Sequence, residues 1–515
     1  MIRRTGAQEW HNLHVTKKAK LEDLIDIDNS SPTGTRPAGF AILRSAAKDL
    51  NLLVQEAVLT KKGIRALGSG WALTDIAVPA SWLLNTKLLN ACFEVSTGYF
   101  ESSYPEAKRP YVVIAQGGVS IGELNVYLEV TAPGGLRRSL KTAGIGAGQT
   151  IAGAVSGNTH GAAINFGAMP DFVVGIQLVT GGGKSVWIER SSYPVLNDSF
   201  VEALEASRIR DDEVFNAAVV SFGAFGIIAA VAIEVEPLFQ LKFPPVKGIA
   251  RRDLKEKLND FDYDEPDGLY HYEFIFDPLS KTEIDLEVAA TRVPYEDGQK
   301  PPVPVWIIRD EKGYAPGDQS ASLLYGVALL APVRLLVTGL TDVEFRQYKQ
   351  RAILSDVRST PGQLFTAAVT YLEGYAESAF GVSITDAARM MDISSRIVRE
   401  MRLPTIVQAR VVHPSQATLG FTSLTPKTVI VEFGLPNDAR FPRFEETLIQ
   451  ALTRERISYR LHWSKNSGIG PDRLHAMYGD QRIQKWRAAR KRVFDDDQSR
   501  MKVFENEHLR RAGLA

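Results

Sequence analysis

Seven glycines and seven alanines crowd residues 143–168, AGIGAGQTIAGAVSGNTHGAAINFGA, within a chain of 515 residues. No ordinary helix or strand carries that much glycine, because each glycine costs backbone entropy and offers no side chain to pack. The segment is therefore expected to lie with its backbone against a ligand. Around it, residues 40–237 alternate short β-rich runs (111–115, 172–180, 227–235) with helical stretches, which predicts an α+β domain. Prolines and charges mark a boundary near 243–247. Beyond it YHYEFIF (270–276) predicts a strand of a second sheet, residues 318–400 are mostly helical by pattern, and 405–412 and 428–433 return to strand character. After about residue 456 the chain turns polar, aromatic and then helical, with no apolar strand left for a separate core. The expected division is 1–240, 241–455 and a segment 456–515 that packs back on the first domain.

Bulk properties narrow the function. A 44% hydrophobic and 23% charged composition is that of an ordinary soluble globular protein. Sixty basic residues balance sixty acidic ones, so no global field favours nucleic acid or an anionic membrane, and a small-molecule partner is expected. The six basic residues between Arg482 and Arg492 read as a solvated helix face. Cys92 is the only cysteine, which excludes internal disulfides, thiolate metal clusters and a two-cysteine redox motif, and Cys92 itself reads as core filler. His11, His14, His271, His413, His475 and His508 show no metal-ligand spacing, so no metal site is expected. The first residues, MIRRTGAQEWHNLHV, carry two arginines without a following apolar region, which by default predicts a cytoplasmic protein. The most apolar window, 323–340, contains Pro332 and Arg334 and reads as a buried or substrate-lining helix, not a stable membrane insertion.

Glycine-rich turns invite two familiar phosphate-binding readings, and spacing rejects both. Gly183-Lys184-Ser185 ends like a P-loop, but the required glycine is Leu178, and the stretch sits between two strand-like runs as a hairpin turn. Gly68-Ser69-Gly70 and Gly144-Ile145-Gly146 each begin a dinucleotide fingerprint, yet the third glycine positions hold Leu73 and Gln149. What remains is a pair of separate turns, RALGSGW (65–71) and the 143–168 run, exposing backbone N–H groups to a pyrophosphate. Between them lies a third, Gln116-Gly117-Gly118-Val119-Ser120.

RALGSGWALTD, AQGGVSIGELNVYL, GAGQTIAGAVSGNTHGAA and SFGAFGIIAAVAIEVEP occur in the order of the vanillyl-alcohol-oxidase flavoproteins, which the chain resembles. QTIAGAVSGNTHG (149–161) is similar to the flavin-cradling segment of the aldonolactone and alditol oxidase branch, and RLHWSK (460–465) to that branch's RPHWGK motif. The closing residues, with Phe504, Asn506 and Leu509, resemble the family's ending, though Asp497 stands where proline is usual. The resemblance implies an α+β protein with a two-part PCMH-type FAD-binding domain, a substrate-binding cap, and bound FAD. Gly68, Ser69 and Gly70 would face the pyrophosphate, with Gly117 and Gly118 contributing a further turn. Gly153, Ser156, Gly157 and Thr159 would line the ribityl and isoalloxazine region, Ile228 would lie near the adenine side, and His160 would hydrogen-bond its turn.

Two departures matter. Many relatives attach the flavin through a histidine after the first Gly-x-Gly; here Trp71 occupies that position, so non-covalent FAD is expected, with the indole a candidate cover for the flavin edge. In the cap, Thr405 to Arg410 resembles a Ser-Glu-x-Arg strand, keeping the cation as Arg410 but replacing the carboxylate with Gln408, which can orient a hydroxyl but not serve as an anionic base. Lys465 would stabilise the charge of reduced flavin, and His462 could accept a substrate proton. The expected reaction is oxidation of a small organic substrate at a CH–OH group, with oxygen or another acceptor closing the cycle. The alternatives are an oxygen-avoiding dehydrogenase or reductase and a flavin-fold binding protein.

Overall fold

In the computed structural model the described residues are 1–30, 38–131, 133–261, 268–297, 354–365 and 375–515. The apolar window 323–340 and much of the expected helical region 318–400 lie outside them. The first domain starts with a sheet ordered Ile2–Arg4, Asp23–Asp28, Trp82–Leu88, Ile64–Leu67, whose last three strands run parallel. The helix Phe40–Thr60 connects two of those strands. It buries Leu43, Ala46, Leu50, Val54 and Ala57, a stripe at three- and four-residue spacing, against this sheet and the next. Strand Ile64–Leu67 runs directly into the Gly68 turn.

The second sheet is ordered Ser207–Arg210, Val186–Glu189, Val173–Val179, Ile227–Glu234, Val112–Gln116, Cys92–Glu94. Its central strands are largely apolar and covered on both faces: every residue of VVGIQLV (173–179) is buried. The Gly183-Lys184-Ser185 stretch joins Val173–Val179 to its antiparallel neighbour Val186–Glu189, so it is a hairpin turn.

The cap is built on a nine-stranded sheet running Val357–Ser359, Phe239–Phe243, Ile284–Pro294, Leu269–Phe276, Val407–Val412, Thr428–Pro436, Tyr375–Ser383, Tyr459–Leu461, with Lys247–Ala250 pairing to Ile284–Pro294. Helices Ile384–Met401 and Arg440–Arg454 pack on it and on each other. The division at 240/241 falls inside Phe239–Phe243. The segment 456–515 contributes the edge strand Tyr459–Leu461 to the cap before it turns back to the first domain.

There the helix Pro471–Val493 packs on Asp212–Ala218, and the Trp486 indole N–H donates to Val220 O at 3.2 Å. Asn506 caps the final helix by accepting from Leu509 N and donates through Nδ2 to the carbonyls of Ile76 and Val78, so it ties the chain's end to the glycine-rich turn. Asp497 accepts from the N–H groups of Ser499 and Arg500 and thereby caps Gln498–Val503, a start that proline would supply by its fixed φ. Among the described residues no helix is long and apolar enough to cross a membrane.

Candidate active site

The two glycine turns meet in space. A Cβ on Gly68 would sit 2.2 Å from Thr150 Oγ1, so only glycine lets the Gly68-Ser69-Gly70 turn lie against the start of the helix Ile151–Ser156. Gly70 has φ +67°, the left-handed region that glycine enters without strain. The Trp71 indole lies over Gly148, and His14 meets it edge-on with ring centroids 6.0 Å apart. Leu73 N donates to Ser464 O at 2.8 Å and Thr74 Oγ1 to Trp463 O at 3.1 Å, which pins the segment preceding Lys465 to the first glycine turn.

Strand register explains the charged cluster on the cap side. Residues i and i+2 share a face of a strand, so Gln408 and Arg410 point the same way; Glu273 is the register partner of Arg410, and Glu432 that of Gln408. All four side chains converge. Arg410 Nε donates to Glu273 Oε2 at 3.2 Å, its other terminus pairs with Glu432, and Gln408 Nε2 also donates to Glu273 Oε2 at 3.2 Å. Burial pushes the Glu273 carboxyl up, but hydrogen bonding and charge from His271 and Arg410 outweigh it and leave it below the ordinary glutamate value. Beside this cluster Lys465 Nζ pairs with Glu377 Oε2 at 2.5 Å.

The two histidines are held in opposite tautomers. His462 Nδ1 accepts from Ser464 N–H at 3.0 Å, so in the neutral ring Nε2 carries the proton. His160 Nδ1 lies 3.0 Å from Gly161 O, an acceptor, so Nδ1 carries its proton and Nε2 holds the lone pair. Burial, then the charge of Arg410, pushes His160 down to about 3, and burial, then His160 and Lys465, drives His462 well below its ordinary value. Both rings are neutral at physiological pH, with His462 a donor and His160 an acceptor at the remaining nitrogen. His14, buried near Lys465, is pushed down to about 4.

His14, His160, Arg410, Glu432, His462 and Lys465 line one cavity that opens to solvent at its mouth. The lining brings together Gly68, Ser69, Gly70, Trp71, Gly153, Ser156, Gly157, Thr159, His160, Ile228, Arg410, His462 and Lys465. It does not include Gly117, Gly118 or Gln408. A Cβ on Gly117 would come 2.3 Å from Ile228 O, and one on Gly118 2.0 Å from Thr86 O, so these glycines allow backbones to pack behind the cavity wall. Cys92 is half-buried outside the lining, and burial followed by the Glu123 charge pushes its thiol up to about 12, which leaves it inert.

The structure adds residues that the sequence reading did not single out as site residues: His14, Arg65, Phe222, Ser464 and Glu432 line the cavity, with Glu273 and Glu377 directly behind. Arg65 is fully buried and donates to three backbone carbonyls, Phe504 O at 3.1 Å, Ile76 O at 2.6 Å and Phe222 O; burial, then the charge of Arg490, lowers it to about 10. Among the described lining residues Arg65, Arg410 and Lys465 are cationic and Glu432 alone is acidic. Main-chain glycine turns, the buried Arg65 guanidinium beside them and apolar walls from Trp71, Phe222 and Ile228 suit a diphosphate joined to two ring systems.

Residues 37–189 match the FAD binding domain family, which makes the glycine-turn half of the cavity part of a PCMH-type FAD-binding domain. Over 273 residues the chain is 27% identical to an L-gulono-1,4-lactone dehydrogenase of Mycobacterium tuberculosis, covering 52% of each chain. A D-arabinono-1,4-lactone oxidase of Kluyveromyces lactis is 28% identical over 190 residues, 37% of this chain and 30% of that one. The chain thus spans at most about half the length of these relatives. Among solved structures, cholesterol oxidase from Brevibacterium sterolicum superposes with a TM-score of 0.67 at 15% identity over 99% of this chain and 97% of that one, so the similarity of fold extends through the cap.

Proposed function

We propose that this protein is an FAD-dependent oxidoreductase that oxidises a CH–OH group of a small organic substrate. The observation that carries the reading is the meeting, in one cavity, of the FAD-binding glycine turns with Arg410, His462 and Lys465 from the cap side. When bound, FAD supplies the two-electron acceptor for such a reaction. Gly68, Ser69 and Gly70 hold its diphosphate, with Arg65 as a buried counter-charge. Trp71, Gly153, Ser156, Gly157, Thr159 and Ile228 enclose the rest, and FAD is held without a covalent bond, since Trp71 stands at the position where the family resemblance would put a linking histidine.

On the substrate side, neutral His462 donates from Nε2 to the substrate oxygen and Arg410 fixes its orientation. Lys465, held by Glu377 and by the pinned turn before it, stabilises negative charge that develops during the reaction. The relatives' names support a lactone or a similar alcohol as the substrate class. The test is an absorbance spectrum before and after acid precipitation, followed by anaerobic mixing with L-gulono-1,4-lactone, D-arabinono-1,4-lactone and a panel of alcohols, sterols and amines. Flavin bands that stay in the supernatant, and bleaching by a CH–OH compound, are expected. A colourless protein that FAD does not reconstitute overturns the reading, and hydrogen peroxide formation in air separates an oxidase from a dehydrogenase.

A further inference from the structure

We infer that Glu432 is the proton acceptor for the substrate hydroxyl, a role that rests on the oxidoreductase reading and is supplied from the strand next to the one where the sequence motif would carry a carboxylate. Gln408 occupies that motif position on the same strand face but does not reach the cavity lining; its amide donates to Glu273 at 3.2 Å. Its direct register partner on Thr428–Pro436 is Glu432, so the carboxylate missing from one strand is present on the same face one strand over. Glu432 is 7% exposed and is the only acid among the described cavity-lining residues.

Its neighbours keep it oriented without discharging it. Arg410 bridges Glu432 and Glu273, one cation between two carboxylates, so this cluster carries one more negative than positive charge. His160 Nε2 lies 4.0 Å from Glu432 Oε1, but that nitrogen holds a lone pair while Nδ1 faces Gly161 O, so His160 neither donates to Glu432 nor neutralises it. Lys465 is engaged with Glu377. His462 presents a donor, and burial holds His160 and His14 far below the ordinary histidine value, so among the described lining residues Glu432 is the carboxylate placed to accept a proton.

The step balances with groups already named. The substrate O–H bond breaks and its proton forms the O–H of the Glu432 carboxylic acid. The C–H bond breaks with its electron pair as hydride, for which oxidised flavin is the acceptor. The C–O single bond becomes C=O, and the substrate is oxidised by two electrons. The proton leaves Glu432 to solvent after product release.

The experiment compares the FAD-loaded wild type with Glu432→Gln, Glu432→Asp and the exchange variant Gln408→Glu/Glu432→Gln. The rate of anaerobic flavin reduction by L-gulono-1,4-lactone, or by the panel compound that bleaches the wild type fastest, is measured across pH. Removing a general base typically costs ~10²–10⁴-fold. Glu432→Gln should lose at least ~100-fold in the reduction rate and rise with pH where the wild type is flat; Glu432→Asp should retain the wild-type pH profile at a lower rate.

A substrate-free reading uses sulfite, an anion that adds to oxidised flavin. If Glu432 faces the flavin, Glu432→Gln should bind sulfite at least ~10-fold more tightly because one negative charge has left the cavity. A Glu432→Gln rate within threefold of wild type with an unchanged pH profile, or unchanged sulfite affinity in a variant that retains FAD, overturns the assignment while leaving the oxidoreductase reading intact. A wild type that no CH–OH compound reduces overturns both.

Discussion

Glu129 offers a direct test of how the cap is held on the FAD-binding domain. It lies in the π-turn Tyr127–Thr131 of the first domain, and its carboxylate accepts from two cap residues, Thr360 Oγ1 at 2.5 Å and Gly362 N at 2.8 Å, as well as from Ser139 Oγ at 3.2 Å. In Glu129→Ala the two hydroxyls can turn to other partners, but the Gly362 N–H is fixed by the backbone and left without one. An orphaned buried donor costs roughly 1–3 kcal/mol, and loss of the two remaining bonds adds about 1 more. At 1.4 kcal/mol per tenfold, a total of about 3 kcal/mol accelerates opening of the 354–365 segment by ~100-fold, to be read as hydrogen exchange at the Gly362 amide.

Glu129→Gln keeps an acceptor for Gly362 but cannot ionise. Burial raises the wild-type carboxyl above 4.5, with Thr360, Gly362 and Ser139 opposing it only in part. A raised acid contributes stability that is fully present below the unfolded value, near pH 4.5, and is lost as pH rises through the folded value. Glu129→Gln should therefore match wild-type protection at pH 4 and exceed it increasingly as pH rises. Unchanged exchange in Glu129→Ala, or a Glu129→Gln advantage that shrinks with rising pH, refutes the latch.

Three further expectations follow from single contacts. Gly118→Ala drives a Cβ to 2.0 Å from Thr86 O and 2.7 Å from Leu89 O, both backbone, so it should lower the thermal midpoint of FAD-free and FAD-bound protein alike by an overpacking cost of about 1–3 kcal/mol or more; an effect on FAD affinity alone would contradict a packing role. Arg65→Met should weaken FAD binding by roughly 10–100-fold, the worth of one charge-assisted contact, in fluorescence titrations, with Arg65→Lys recovering part of it; equal losses in both variants would remove charge as the cause. Asp75 is raised by burial, but hydrogen bonds and charge from His508 and Arg511 bring it below 3.8, so its stabilisation is present above about pH 3.8 and lost as pH falls through the folded value; Asp75→Asn should cost about 1–2 kcal/mol at pH 7 and nothing in strong acid, by chemical denaturation.

The sequence showed the cofactor half of the site better than the substrate half, and the reason is physical. A turn that must approach another backbone admits only glycine, so Gly68 against Thr150 leaves a mark at a fixed place in the chain. That mark does not say what approaches: Gly117 and Gly118 carry the same signature, yet the approaching groups are the carbonyls of Ile228 and Thr86. The cap-side carboxylates depend on which strands pair and in what register. Glu273, Glu377 and Glu432 each interrupt an otherwise apolar run, YHYEFIF, YAESAFGVS and VIVEFGLP, and a lone acid in a buried strand signals a partner because an unpaired charge there is too costly. Only the register shows that Glu273 faces Arg410 and Glu432 faces Gln408.

The cavity is assembled from segments that also fasten the cap, so occupancy and domain docking are coupled. Asn158, in the glycine-rich run, accepts from Phe421 N at 2.9 Å and donates to Thr422, while Lys427 reaches back to Ile164 O at 2.7 Å. Ser464, pinned to Leu73, precedes Lys465, and Arg65 holds Phe504 near the chain's end. The three lining cations thus come from the first glycine turn, a cap strand and the returning segment. A ligand that binds only the assembled state stabilises every contact that assembly requires, by an amount set by its concentration relative to its dissociation constant. The cofactor is accordingly part of what keeps Glu432 and Arg410 opposite the glycine turns, and loss of FAD should loosen the cap at these tethers before it unfolds either sheet.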